Sequence, residues 1–163
     1  TTLFRMITGE EHPDDGTVFF VHHLETAATL QATLKDIGYD TVVATGELNN
    51  EKRLAVLDSL MTGAAKYGVL TIGACGTGFN LCPGVSRVFF LEYADTEAEM
   101  DQCEHRLQRL GAVKQVYSCW ITLDHPRDRA HVTKLQNKKR VSSNVMDGHK
   151  NQRISFEECT TRP

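Results

Sequence analysis

The sequence predicts an α/β fold in which a mostly parallel sheet is flanked by helices. Short runs rich in β-branched and aromatic residues alternate with stretches of helical periodicity. Several of these runs are almost continuously apolar, which is typical of strands that are covered on both faces. A strand–helix–strand order joins parallel strands through right-handed crossovers. Functional residues are therefore expected in the loops at the carboxyl ends of the strands.

Strand-forming runs occur at five places in the chain. The predicted strands are Thr17 to His23, Asp40 to Thr45, Tyr67 to Ile72, Ser86 to Tyr93 and Lys114 to Leu123. Side chains alternate between the faces of a strand, so His22 and His23 are predicted to point in opposite directions and not to share a metal. Trp120 lies within the fifth run and is predicted to belong to the core.

Helical periodicity fills the intervals between the strands. The predicted helices are Leu24 to Gly38, Asn49 to Gly63, Asp95 to Gly111 and a last one from about Arg127 to Val145. A glycine closes each of the first three, as expected for a residue that readily adopts positive φ. The third helix begins with a capping-box spacing of Thr96 and Glu99. The apolar face of the first helix is predicted to contain Leu24, Ala27, Ala28, Leu34 and Ile37.

Composition limits the kind of protein this can be. With 163 residues, 40% of them hydrophobic, the chain can build one ordinary domain with a real core. Its net charge of -3 gives no global basic field, so any contact with nucleic acid needs a local patch. The 5 cysteines form no CxxC pair, which favours an intracellular, reducing location over a disulfide framework. We also expect no leader peptide, membrane span or metal site.

The third predicted helix presents a glutamine and two arginines on one face. Gln102, Arg106 and Arg109 are spaced four and three residues apart, so at about 100° per residue they point the same way. A separate apolar stripe contains Met100, Cys103, Leu107 and Leu110. Such a helix can bury its stripe against the sheet while its guanidinium groups face a phosphate that gains charge in a transition state. A plain solvated basic edge is the alternative.

A glycine-rich loop follows the third predicted strand, from Thr71 to Leu81. Its glycines, Gly73, Gly76 and Gly78, allow a tight turn whose backbone N–H groups can face an anion. The order G-x-x-G-x-G differs from the dinucleotide-binding fingerprint, so a Rossmann cofactor site is not predicted. An ordinary flexible turn remains the alternative interpretation.

Together, these segments resemble the last two conserved motifs of superfamily-two helicases, most closely those of the Swi/Snf-type DNA-translocating ATPases. Gly76, Gly78, Asn80 and Leu81 match the fifth motif, and Gln102, Arg106, Arg109 and Gly111 match the sixth. Upstream, "TVFFVHHLET" is similar to the strand and turn that open the second lobe, and Gly46 and Arg53 match the segment after it. The chain has "EYADTEAE" where the family usually carries an aromatic-asparagine-proline turn.

The resemblance implies a RecA-like second helicase lobe over residues 17–124. It also implies a lead-in at 1–16, a lobe-bracing helix at 125–148 and a flexible tail at 149–163. Arg106 and Arg109 would act as arginine fingers beside Gln102, and nucleotide contacts would come from Gly76, Gly78 and Asn80. The DNA-binding residues implied are Thr45, Gly46, Arg53, Thr71 and Gly73. ATP and Mg²⁺ would be held mainly by a first lobe, because no G-x-x-x-x-G-K-[ST] loop occurs in this chain.

The function implied is that of a double-stranded-DNA translocase, nuclear in a eukaryote, with this lobe inactive on its own. Its partners would be the first lobe of the same protein, duplex DNA and chromatin or repair proteins. Two alternatives stay open at this point. One is the second lobe of an RNA helicase, which shares the arginine helix. The other is a degenerate helicase-like lobe kept as a docking module, which the altered "EYADTEAE" turn keeps in view.

Overall fold

A computed structural model describes residues 16–76, 81, 84–105 and 117–146, with the side chains of 75, 76 and 139–146 excepted. Gly16, the last residue of the predicted lead-in, is described and begins β1; the rest of the lead-in, the tail, and most of the loop and helix end at 77–83 and 106–116 lie outside the described residues. In chain order the elements are β1 (Gly16–Val21), α1 (Leu24–Asp36), β2 (Thr41–Ala44), α2 (Asn50–Met61), β3 (Tyr67–Thr71), a 3-10 turn (Ile72–Gly76), β4 (Val85–Phe90), α3 (Glu97–His105), β5 (Tyr117–Trp120) and α4 (Pro126–Met146).

The strands form one five-stranded sheet in the order β2-β3-β1-β4-β5, and every pairing is parallel. β1 lies at the centre, between β3 and β4, and all six of its residues are buried. The prediction of a parallel sheet flanked by helices is therefore confirmed. The strands end earlier than predicted at the carboxyl edge, because β-prone residues continue beyond the last pair of the ladder. β1 stops at Val21 and β4 at Phe90.

Two hydrophobic layers hold the helices on opposite faces of the sheet. On one face, Phe20 and Phe90 stack with ring centroids 5.0 Å apart, in the same cluster as Leu60 of α2 and Met100 of α3. On the other face, Phe19 stacks on Phe89 at 5.6 Å, in the cluster that includes Ala27 and Leu34 of α1. A fully buried side chain of this size contributes roughly 1.5–3 kcal/mol, so these layers dominate the stability of the lobe.

The first helix buries less of its predicted apolar face than expected. Ala27 and Leu34 are buried, but Ala28 is exposed and Leu24 and Ile37 are 42% and 45% exposed. Leu24 opens the helix and Ile37 follows its last turn, where fewer neighbours cover a side chain. The helix ends as predicted, because Gly38 adopts a φ of +92° and its N–H donates to the carbonyl of Lys35.

The described part of α3 has the two faces that the sequence predicts. Met100 and Cys103 are buried in the core, whereas Gln102 is exposed. At its start, the Glu99 N–H lies 3.4 Å from the Thr96 hydroxyl oxygen, and that hydroxyl donates to the Glu99 carboxylate at 2.7 Å. The capping pair is thus present. The other two members of the apolar stripe, Leu107 and Leu110, lie outside the described residues.

The last helix, α4, spans the predicted segment and one further residue at each end. It packs against α3, and Leu135 is its buried anchor. Among the residues that the structure describes, no helix combines the length and the apolar character needed to cross a membrane.

Candidate functional site

Two neighbouring strands, β2 and β3, bring the predicted DNA-binding residues to one edge of the sheet. Thr45 follows β2 directly and Thr71 is the last residue of β3. Each is followed by an exposed glycine, Gly46 one residue after Thr45 and Gly73 two residues after Thr71. A Cβ added at either glycine meets no described heavy atom within 4 Å. Thr71 itself is buried, whereas the backbone at the two glycines is open to close approach by a ligand.

Arg53, the fifth predicted DNA-binding residue, makes its described hydrogen bonds inside the protein. Its Nη2 donates to the carbonyl of Leu48 at 3.2 Å and to Oδ1 of Asn50 at 2.8 Å. The side chain of Asn49 caps the same helix by accepting from the N–H of Glu51 at 2.7 Å. These contacts fix the loop that carries Gly46. A direct DNA contact by Arg53 stays a prediction.

His22 and His23 form the turn after β1, and their predicted orientation is wrong. The strand has already ended, so the alternation of faces no longer applies, and the two rings meet edge to face with centroids 4.9 Å apart. Among the described residues, no group of three or more His, Cys, Asp or Glu side chains has a metal-binding arrangement.

Glu92, which follows β4, accepts several hydrogen bonds at this edge. Oε2 of Glu92 accepts from the backbone N–H groups of His22 and His23 at 2.7 and 2.9 Å. Its Oε1 accepts from the Thr26 hydroxyl at 2.9 Å and lies 3.1 Å from Nδ1 of His23. Partial burial raises the pKa of Glu92, but hydrogen bonds from His23, Thr26 and His22 outweigh this and leave that pKa below its ordinary value.

The neighbouring tyrosine reaches the strand end on the other side. The Tyr93 hydroxyl donates to the carbonyl of Ile121 and lies 2.8 Å from the Thr122 hydroxyl. Its ring packs on Trp120, with centroids 5.4 Å apart. Burial raises the pKa of Tyr93, the Thr122 hydrogen bond opposes this and the nearby Asp128 carboxylate adds to it.

Trp120 is half-buried and belongs to the packing of the lobe. Its indole ring lies against Phe90, with centroids 5.7 Å apart, and its Nε1 donates to Oε1 of Glu104 at 2.9 Å. The prediction that Trp120 packs with the core is confirmed. Its indole N–H is satisfied by a residue of α3, as expected for a tryptophan that packs against the core.

The glycine turn after β3 and the described part of α3 are adjacent. The 3-10 turn that ends at Gly76 packs against α3, which presents Gln102 on its exposed side. Arg106 follows immediately after His105, the last described residue of α3. The predicted positions Arg106, Arg109, Gly78 and Asn80 lie outside the described residues.

The chain matches a known protein family over most of its length. The family described as "Helicase conserved C-terminal domain" matches residues 1–111. The chain belongs to this helicase family. Its resemblance to the Swi/Snf-type second lobe, based on the fifth and sixth motifs, is confirmed, and so is the RecA-like fold class.

Characterised relatives of this helicase lobe include the helicase-like transcription factors of Mus musculus and Homo sapiens. Each is 30% identical over 115 residues, which cover 68% of this chain and 11% of the relative. A "Probable global transactivator" of Orgyia pseudotsugata multicapsid polyhedrosis virus is 25% identical over 132 residues, which cover 80% of this chain and 26% of the viral protein. The helicase lobe thus spans only a small part of each of these relatives.

Solved structures share the fold of the helicase lobe. The C-terminal part of the Fun30 ATPase domain has a TM-score of 0.70 at 14% identity, over 91% of this chain and 53% of that one. The C-terminal domain of the DEAD-box protein Dbp5 has a TM-score of 0.66 at 19% identity, over 85% of this chain and 77% of that one. At these identities the likeness concerns the fold alone.

Sequence reasoning missed Glu92 and Tyr93 as organising residues of this helicase lobe. Both lie in "EYADTEAE", which stood out only as a departure from the family's usual turn. A weak signal was present, because an acidic residue placed just after a buried parallel strand lies at the functional edge of the sheet. Its partners, 66 to 70 residues away, could not be read from local pattern.

Proposed function

We propose that this chain is the second lobe of a Swi/Snf-type ATPase that translocates along double-stranded DNA. One observation supports the proposal: the ends of β2 and β3 lie at the same edge as the 3-10 turn that packs against α3, the helix after which Arg106 and Arg109 follow in the sequence. The proposed DNA-facing surface, at the ends of β2 and β3, would thus be connected to the proposed nucleotide-facing helix, α3, by this one turn. Helicase family membership supports ATP hydrolysis by the larger protein of which this lobe is a part.

Thr45, Gly46, Thr71 and Gly73 are proposed to follow the phosphate backbone of DNA. Hydroxyl and backbone N–H groups bind phosphate oxygens without reading the base sequence, as a translocase requires. Such contacts also explain how a chain with a net charge of -3 can serve a nucleic acid partner. Arg53 would support them by holding the loop after β2.

Arg106 and Arg109 are proposed as arginine fingers, with Gln102 beside them. They would meet the γ-phosphate of ATP held by the first lobe and stabilise the charge that develops during its transfer. Bound ATP–Mg²⁺ would supply the phosphoryl group and neutralise part of its charge. Gly76, Gly78 and Asn80 would line the nucleotide side of the cleft. The backbone at Gly73, three residues before Gly76, has open space around it. The lobe alone would then hydrolyse no ATP.

Replacing Arg106 or Arg109 with alanine in the full-length protein tests the finger assignment. The DNA-stimulated ATPase rate should fall about 10³-fold or more, the usual effect of removing such a group. The matched control is Arg127→Ala, an exposed arginine of α4, which should leave the rate within about twofold. Near-normal turnover in Arg106→Ala and Arg109→Ala would refute the role of fingers.

An RNA helicase lobe is the second candidate, because the DEAD-box C-terminal domain has the same fold. The ATPase rate of the full-length protein should rise with duplex DNA and much less with RNA of the same length. The reverse order would favour the RNA helicase. Absence of stimulation by either, with no turnover at all, would favour a docking module. A nuclear site of action and chromatin or repair partners belong to the same proposal.

A further inference from the structure

The loop between β4 and α3 is tied to the sheet on both sides by consecutive residues. Glu92 reaches across to the turn after β1, and Tyr93 reaches across to the end of β5. β1 and β5 are the two strands that flank β4 in the sheet. A loop held on each side by a different residue cannot swing toward either neighbour without losing hydrogen bonds.

The Glu92 anchor supplies what helix α1 lacks. The first N–H groups of a helix have no partners within the helix, and the N-cap residue His23 makes no side-chain cap. The Glu92 carboxylate accepts hydrogen bonds from the N–H groups of His22 and His23. Its negative charge lies at the positive end of the helix dipole. A glutamate from a distant strand end thus caps the helix and fixes its own loop in doing so.

The Tyr93 anchor combines packing with hydrogen bonding. Its ring lies between Trp120 and His131, with centroids 5.4 and 6.2 Å away, while its hydroxyl is held by Ile121 and Thr122. Burial of an aromatic ring with a satisfied hydroxyl makes this side chain hard to displace. The anchor therefore ties the loop to β5 and to the start of α4.

The anchored loop leads directly into α3. Ala94 is fully buried and its N–H points at Sδ of Met100, 3.4 Å away. The Thr96–Glu99 pair then begins the helix. Between the buried Ala94 and the start of the helix that presents Gln102 lie only Asp95 and Thr96, and Thr96 is hydrogen-bonded to the helix. The Glu92–Tyr93 pair thus sets the position of α3 relative to β1 and β5.

We propose that Glu92 and Tyr93 are positioning residues for Arg106 and Arg109. They act from the β4–α3 loop by fixing the position of α3. The inference rests on the proposed function, because it assigns α3 the task of presenting Arg106 and Arg109. Neither residue needs to touch ATP or DNA. Their effect would be confined to the step in which the arginines act, since a displacement of about 1 Å at a reacting group can cost about 10²-fold.

Two conservative variants of the full-length protein test the proposal. Glu92→Gln keeps the shape but loses the charge and one acceptor oxygen, and Tyr93→Phe keeps the ring but loses the hydroxyl. Each should lower kcat of the DNA-stimulated ATPase about tenfold, with the KM for ATP changed by less than about twofold. Asp95→Asn, an exposed carboxylate of the same loop, is the matched control and should leave kcat unchanged.

A double-variant cycle separates positioning from general destabilisation. Introduced into protein that carries both Arg106→Ala and Arg109→Ala, Glu92→Gln and Tyr93→Phe should cause no further loss, because both groups that they position are gone. An equal tenfold loss in both backgrounds, or normal kcat in the single variants, would overturn the positioning role. Arg106→Ala alone reports on the proposed function separately. If that variant keeps normal turnover, the finger assignment fails whatever the loop variants do.

Discussion

The two ends of the parallel sheet use glycine for opposite reasons. At the amino end, Gly84 lies under α2, and a Cβ there would overlap the carbonyl oxygens of Leu60 and Met61. At the carboxyl end, a Cβ on Gly46 or Gly73 would meet no described atom within 4 Å. The protein itself fills the space around Gly84, whereas the described residues leave the space around Gly46 and Gly73 open.

The contrast extends to the polar groups near each end. At the amino end, the N–H of Gly16 donates a hydrogen bond to the carbonyl of Gly84 at 2.8 Å, which ties the start of β1 to the start of β4. At the carboxyl end, Glu92 and Arg53 form hydrogen bonds with loop residues that follow β1 and β2. These bonds hold the loops in place and do not cover Gly46 or Gly73. The amino end is thus closely packed, and the carboxyl end is where the proposed DNA contacts lie, as expected when ligands bind beyond the carboxyl ends of parallel strands.

Gly84→Ala is the change expected to have the largest effect on stability. The added methyl group would collide with two backbone carbonyls, which cannot rotate away as a side chain can, so we expect a loss of about 3 kcal/mol in the free energy of unfolding. Urea unfolding of the protein measures it. A loss below about 0.5 kcal/mol would show that the amino end is looser than its packing indicates.

Gly46→Ala and Gly73→Ala should behave in the opposite way. Neither glycine has a positive φ in the left-handed region, and both have room, so the free energy of unfolding should change by less than about 1 kcal/mol. In the full-length protein, a methyl group that blocks close approach of a phosphate should raise the half-saturating DNA concentration about tenfold, equivalent to about 1.4 kcal/mol.

The control for these two variants is Gly63→Ala, at the end of α2. Gly63 has a φ of +77° and also has space around it, so alanine there adds backbone strain without any block to a ligand. It should lower stability and leave the DNA concentration dependence unchanged. If all three variants bind DNA equally well, the carboxyl edge is not the DNA-tracking surface.

Sequence alone could not distinguish these glycines, although it predicted most of the fold. The five strands and the capped helices follow from periodicity and end signals within short windows, and the parallel order brings Thr45 and Thr71 to one edge. The space around Gly84 or Gly73 depends on residues distant in the chain. The same holds for Glu92, whose partners are 66 to 70 residues away. The wrong orientation of His22 arose where β-prone residues continue past the end of a strand.

The smallest effect expected is the dependence of stability on pH through Glu92. Its pKa in the folded protein lies below the ordinary value of 4.5, so the carboxylate contributes stability that is fully present above pH 4.5. That contribution is lost as the pH falls from 4.5 through the lower folded pKa, because folding then opposes proton uptake. The difference in unfolding free energy between wild type and Glu92→Gln should therefore be constant near neutrality and shrink in acid.

Glu47→Gln, an exposed carboxylate of the same edge, controls for the change in net charge. A difference that grows as the pH falls would mean that Glu92 is held in its protonated form, and the carboxyl edge would then lack the charged anchor that distinguishes it from the closed amino end.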